Sequence, residues 1–309
     1  MKKWIEIFIL FIFCTETLTA NILDKYSQKM NDYHKTLIQG GTMDVVVYSG
    51  FINPQTAHDI LEKIKNTSLN GTNQERNDFI AFVNDALMKN DQYSKKTLTH
   101  KYSNKGYKCI LNESILKNNS GEIKIEKKRK ETSSFKGLLN HYDANSDTLS
   151  ISKAPSVDWY SPNYFNFAIV NPMMLDFKLF LIPNKDLKQT IEFIPDGENG
   201  IYIKGCVNAC EKLHIVIQND FPCVSDSTYY ESAKEEHVLR NIFYRYYQPV
   251  TGSSLDLTYP SIVIVIDSQR NNLCRVEMYD ITRHQVNKNK NEDDFEIQIN
   301  NSTKILTDI

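Results

Sequence analysis

The chain has 309 residues and 35.8 kDa, with 36 basic against 38 acidic side chains and a formal net charge of −2. An apolar share of 41% is too high for a disordered chain. The balanced charge argues against a whole-molecule basic footprint for nucleic acid, and only eleven glycines disfavour phosphate-cradling loops or repeats built on glycine.

Met1-Lys2-Lys3 supplies a positive start, Trp4 to Phe13 an apolar run, and Leu18-Thr19-Ala20 a small-residue cleavage site. This layout predicts a secretory signal peptide over 1–20. About ten apolar residues are too few to cross a bilayer, which needs roughly 20. The mature chain is therefore expected to be secreted and extracellular, with no stable membrane insertion.

Ile22, Tyr26, Met30, Tyr33 and Leu37 recur at helical spacing. Val45 to Tyr48 reads as a short buried strand. Asn53-Pro54 opens a helix with Asn as cap and Pro in its first turn, and Ala57, Ile60, Leu61 and Ile64 form its stripe. A second helix is predicted over Asn73 to Lys89, packing Phe79, Ile80, Phe82, Val83, Ala86 and Leu87.

After Asp91 the period changes to two. Strands are predicted over Tyr107 to Leu111, Glu122 to Ile125, Thr148 to Ser152, Tyr164 to Val170, Met174 to Ile182, Thr190 to Ile194, Gly200 to Lys204 and Leu213 to Gln218. Ser261 to Asp267 and Leu273 to Ile281 read as a hairpin, and Phe295 to Ile299 as an edge strand. Val238, Leu239, Ile242, Phe243 and Tyr246 predict one long helix over 229–247. The expected fold class is α+β: a helical N-terminal third (21–111), a polar and basic linker (112–134), then a mostly antiparallel β-rich region (135–309) carrying the long helix.

In an exported chain the cysteines remaining after Cys14 (Cys109, Cys206, Cys210, Cys223 and Cys274) are disulfide candidates. Five is odd, so one thiol is left over or joins a partner subunit. Cys206-x3-Cys210-x3-His214-x8-Cys223 departs from familiar zinc spacings, so disulfides are the expected fate and no metal or cofactor is expected. Sequons begin at Asn66, Asn70, Asn112, Asn118, Asn300 and Asn301, candidate glycosylation sites in a eukaryotic secretory route. Lys127-Lys128-Arg129-Lys130 offers a dibasic processing site after Arg129, or a solvated charge run.

No Gly-x-Ser-x-Gly elbow, HExxH helix or P-loop occurs. What remains for chemistry is histidine and arginine, with five of the seven arginines after residue 239. Metal-free RNA cleavage needs a base for the 2′-hydroxyl, an acid for the leaving oxygen and a cation for the phosphorane. His284, Arg283, Glu277 and His214 could supply that set if the sheet gathers them. Regular alternation puts Arg275, Glu277, Tyr279 and Arg283 on one face and His284 on the other. His100 is expected at the surface or a cap. The interleaved Arg and Tyr residues from Arg240 to Tyr247 could stack on bases or pack a core.

Besides a structural coat or wall protein, which accounts for the odd thiol only if that thiol makes homodimers, two readings follow. One is a secreted toxin or effector subunit, a metal-independent endoribonuclease acting on RNA in a host or competitor cell. Its layout is similar to the secreted ribonuclease subunits of yeast killer toxins, tied by disulfide to a carrier, though no motif is shared. The other is a secreted non-enzymatic β-rich binding protein, a ligand decoy or recognition module.

Overall fold

The computed structural model describes residues 24, 28, 32, 40–90, 92–103, 106–117, 120–127, 129–153, 190–197, 199–206, 210–218, 221–231, 234–235, 237–254, 257–268, 273–286 and 292–308; the side chains of 190, 191, 206, 210, 218, 221 and 222 lie outside that description. In chain order, β1 (Gly41–Ile52) leads into α1 (Pro54–Lys65) and α2 (Asn73–Met88). Then come β2 (Tyr93–Ser103), β3 (Gly106–Lys117), β4 (Ile123–Glu126), β5 (Lys130–Phe135), β6 (Leu138–Asp143) and β7 (Thr148–Lys153). After the undescribed residues 154–189 follow β8 (Thr190–Asp196), β9 (Gly200–Cys206), β10 (Cys210–Gln218), β11 (Phe221–Tyr230), β12 (Val238–Pro249), β13 (Thr258–Ser268), β14 (Cys274–Val286) and β15 (Lys304–Asp308).

These strands form a single 15-stranded sheet in the order β15-β7-β6-β5-β3-β2-β1-β14-β13-β12-β11-β10-β9-β8, with β4 paired to β3 beside β5. Every pairing is antiparallel except β15 with β7. The chain runs as two meanders of hairpins, joined where β1 lies against β14 with Val47 opposite Tyr279. Neighbouring strands of a meander need only short turns, which is why this topology suits period-two sequence with little glycine.

Both helices begin as their residues dictate. Asn53 accepts from Thr56 N at 2.8 Å, with Pro54 in the first turn. Thr72 and Glu75 close a capping box, Glu75 N donating to Thr72 Oγ1 at 3.2 Å and Thr72 N to Glu75 Oε2 at 2.7 Å. The helices cover one face of the sheet: Ile60, Ile64, Phe79, Val83 and Leu87 pack on Tyr48, Ile52, Ile262, Ile264, Val276 and Met278. Arg76 of α2 reaches into the sheet, pairing with Asp280 and donating through Nε to Ser261 Oγ at 3.0 Å. Arg245 of β12 donates to Ile64 O at 3.1 Å, satisfying a carbonyl at the end of α1. The opposite face carries a second buried cluster from Met43, Val45, Tyr102, Ile203, Ile215, Tyr244, Val263 and Ile281.

The α+β expectation is corrected: the protein is mostly β, with no helical N-terminal third. Asp24, Gln28 and Asp32 are helical, and α1 and α2 stand where their caps predict. Yet β1, β2 and β3 from the same third lie in the middle of the sheet. Nor is 229–247 a helix; it contains the end of β11, a connection and most of β12. A strand buried on both faces reads as continuous apolar residues, and spaced as here it mimics a helical stripe. Its β-branched and aromatic content favours the strand. Phe243 and Tyr246 face the helices while Ile242, Tyr244 and Tyr247 face the other core, so the aromatic-basic segment packs both cores.

Phe295 to Ile299 is not an edge strand. A 3-10 turn over Glu292–Asp294 lowers the fully buried Phe295 onto the helix-side face, 6.1 Å from the Phe135 ring. Gly106 leaves the space for it, since a Cβ there would lie 3.2 Å from Phe295 Cγ and 2.8 Å from Ser134 O. The predicted strands Tyr164 to Val170 and Met174 to Ile182 lie outside the described residues. No helix among the described residues is long and apolar enough to cross a membrane.

Candidate functional site

The arrangement of the proposed catalytic residues turns on one extra residue in β14. Asp44 is opposite Arg283 but Val45 is opposite Ile281, leaving Thr282 as a bulge. A bulge reverses which side chains face which way beyond it. Glu277, Tyr279 and Ile281 therefore share a face with His284, and Arg283 turns to the helix side, where its Nη2 lies 2.8 Å from Asp44 Oδ2. The regular alternation expected from the sequence places these two residues the other way round.

His284 is 2% exposed, with the Tyr102 hydroxyl 2.6 Å from its Nε2 and the Tyr259 ring edge-on at 5.1 Å. Burial lowers its pKa to about 4, so the ring is neutral at physiological pH. Glu277 lies seven residues earlier, roughly 20 Å along an extended strand, and is committed to Arg275 and to the Tyr279 hydroxyl at 2.7 Å. His214 is on β10, four strands from β14. It stacks on Tyr202 at 4.1 Å, with Asp196 3.0 Å from Nε2 and Asp226 3.2 Å from Nδ1. The structure thus brings none of His284, Arg283, Glu277 and His214 into hydrogen-bond contact with another.

A different site lies on the face away from the helices. Across β14, β1, β2, β3 and β5, register pairing lines up Tyr279 with Val47 and Lys96, and Leu98 with Leu111 and Lys130. These residues, with Ser49, His100, Cys109, Thr132, Arg275 and Glu277, line a trough of about 430 Å³. Apolar Val47, Leu98 and Leu111 alternate with cationic Lys96, Lys130 and Arg275. A larger opening of about 900 Å³ adjoins it, sharing Ser49 and Arg275 and adding Phe51 and Leu116.

Two of the lining groups are buried. His100 is 3% exposed rather than at the surface, with its Nδ1 2.5 Å from the Tyr107 hydroxyl, and burial takes its pKa to about 4. The Cys109 thiol beside it is pushed up to about 12 by burial, which makes it a poor nucleophile. Sequence reading missed Lys96, Leu98 and His100. The signal was the alternation Lys96-x-Leu98-x-His100-x-Tyr102, which puts all four on one face of β2.

Cys109 and Cys223 are buried thiols outside any disulfide, and Cys274 is half-buried opposite Ile52 at the start of β14. The side chains of Cys206 and Cys210 lie outside the described residues, though their backbones face each other across β9 and β10. Asn66, Asn70, Asn112, Asn300 and Asn301 are exposed, and Asn118 lies outside the described residues. Arg129 immediately precedes β5; its side chain pairs with Glu131 and its carbonyl accepts from Ala144 N at 3.1 Å. Among the described residues no three His, Cys, Asp or Glu side chains converge as metal ligands would.

No family model matches the chain, and no curated protein does. Among solved structures, a LolA superfamily protein from Nitrosomonas europaea is similar at 10% identity over 85% of this chain and 97% of its own, with a TM-score of 0.36. A DUF1329 family protein from Desulfovibrio piger shares 7% identity over 89% and 97%, with a TM-score of 0.40. An uncharacterized conserved protein from Thermus thermophilus shares 10% over 93% and 97%, with a TM-score of 0.29. Likenesses at this level establish neither a shared fold nor a shared function.

Proposed function

We propose that the chain is a secreted, non-enzymatic binding protein that seats a small molecule in the trough over β14, β1, β2, β3 and β5. The trough itself carries this reading: about 430 Å³, floored by Val47, Leu98 and Leu111 and bordered by a few charged groups. That size and that mixture are what small-molecule sites use. Its floor is set on paired strands, whose backbone hydrogen bonds are already made, so the site is formed before a ligand arrives. Acid–base cleavage of RNA needs its groups within hydrogen-bond reach of one substrate. The burial of His284, the turn of Arg283 to the helix side and the position of His214 four strands off weigh against it. Export rests on the leader-like residues 1–20.

The test is a fluorescence titration of the full chain with N-phenyl-1-naphthylamine, an uncharged apolar probe. We expect saturable one-to-one binding that Leu98→Trp with Leu111→Trp abolishes while the far-ultraviolet circular dichroism is unchanged. Absence of saturable binding of both this probe and its sulfonated analogue 1-anilinonaphthalene-8-sulfonate to the unaltered chain, or RNA cleavage that His284→Gln removes, overturns the reading.

A further inference from the structure

We infer that the trough selects an amphiphilic anion, with the acidic head on Lys96, Lys130 and Arg275 and the apolar body on Val47, Leu98 and Leu111. This rests on the binding reading above and adds the chemical class of the ligand. Charge at the site is unbalanced. Lys96, Lys130 and Arg275 line it against one carboxylate, Glu277. Glu277 is already engaged by Arg275 and by the Tyr279 hydroxyl. Lys130 has a partner in Asp143 at 3.5 Å, and Lys96 has no carboxylate partner among the described residues.

Position matters as much as sign. Register places Lys96 opposite Val47, and Leu98 and Leu111 in line with Lys130. An ammonium standing over apolar floor is well served by water on one side only. An anion joined to an apolar tail satisfies the charge and covers the floor in the same step, which neither a free anion nor a neutral hydrocarbon does. Arg275 stands where the trough meets the larger opening, so a body longer than the trough would run on over Phe51 and Leu116. Carboxylate, phosphate and sulfonate heads share this chemistry.

The test compares two probes with the same aromatic body on the full chain, 1-anilinonaphthalene-8-sulfonate and the uncharged N-phenyl-1-naphthylamine. We expect the sulfonate to bind at least tenfold more tightly. Lys96→Gln with Lys130→Gln, both solvent-facing, should weaken the sulfonate at least tenfold and leave the neutral probe within twofold. Decanoate should displace the sulfonate at concentrations where inorganic phosphate does not. Equal affinity for both probes, or an indifferent double variant, overturns the anionic head while the binding reading stands. Displacement by phosphate as readily as by decanoate overturns the amphiphile in favour of a free anion. Failure of both probes to bind overturns the binding reading itself.

Discussion

Arg76→Met isolates a buried polar contact between α2 and the sheet. Arg76 and Asp280 are 15% and 9% exposed at their side chains, so the pair is mostly withdrawn from water. Removing one partner of a buried pair costs about 3–5 kcal/mol because the other charge stays buried without compensation. Arg76 retains a little solvent, so about 3 kcal/mol is expected at neutral pH. With a urea m-value of about 2–3 kcal/mol/M, the unfolding midpoint should fall by roughly 1–1.5 M. The pH dependence supplies a sign that a simple packing loss lacks. Burial raises the Asp280 pKa above its usual 3.8, against the lowering pull of Arg76. The carboxyl's contribution is therefore fully present below about 3.8 and is lost as pH rises through the folded-state value. Without Arg76 that loss deepens, so the penalty of Arg76→Met should be largest at pH 7 and shrink toward pH 3.5. Arg76→Leu with Asp280→Leu should recover stability to within about 1 kcal/mol of the unaltered chain. Urea denaturation followed by circular dichroism at pH 3.5, 5 and 7 measures all three. A neutral-pH loss below about 1 kcal/mol, or one independent of pH, refutes the contact's contribution.

Glu211 of β10 accepts from Ser227 Oγ at 2.7 Å, and burial raises its pKa above the usual 4.5. Its contribution is present below about 4.5 and lost as pH rises, so Glu211→Gln should raise the thermal midpoint at pH 7 and have little effect at pH 4; an unchanged pH 7 midpoint counts against that burial cost. Phe295→Ala empties a fully buried site between Phe135 and Gly106, at an expected cost of about 3 kcal/mol. Limited proteolysis should then cut after residue 286 sooner than in the unaltered chain, and equal rates would mean that Phe295 does not fasten the C-terminal segment.

Local chemistry made α1 and α2 legible, because caps and stripes are interactions between residues three or four apart. Asn53-Pro54, the Thr72–Glu75 box and the Phe79, Val83, Leu87 stripe all act within their own helices. Alternation likewise located β10 and much of β14, and a continuous β-branched run from Ile262 to Ile266 located β13. The sequence alone therefore determined α1 and α2 and that strands dominate the later part of the chain. Tertiary structure decided the rest. Strand β12 was hidden because burial on both faces erases the period that marks a strand, and the helices on one face and the second core on the other supply that burial. The early strands β1 to β3 joined the sheet through β14, a partner more than 200 residues away. The bulge at Thr282 depends on β14 matching Asp44 and Val45 of β1, so no property of β14 alone reveals that Arg283 and His284 exchange faces. For the same reason the trough could not be read in advance. Lys96, Leu111, Lys130 and Arg275 converge only through pairing register, which long-range contacts set and local sequence does not encode.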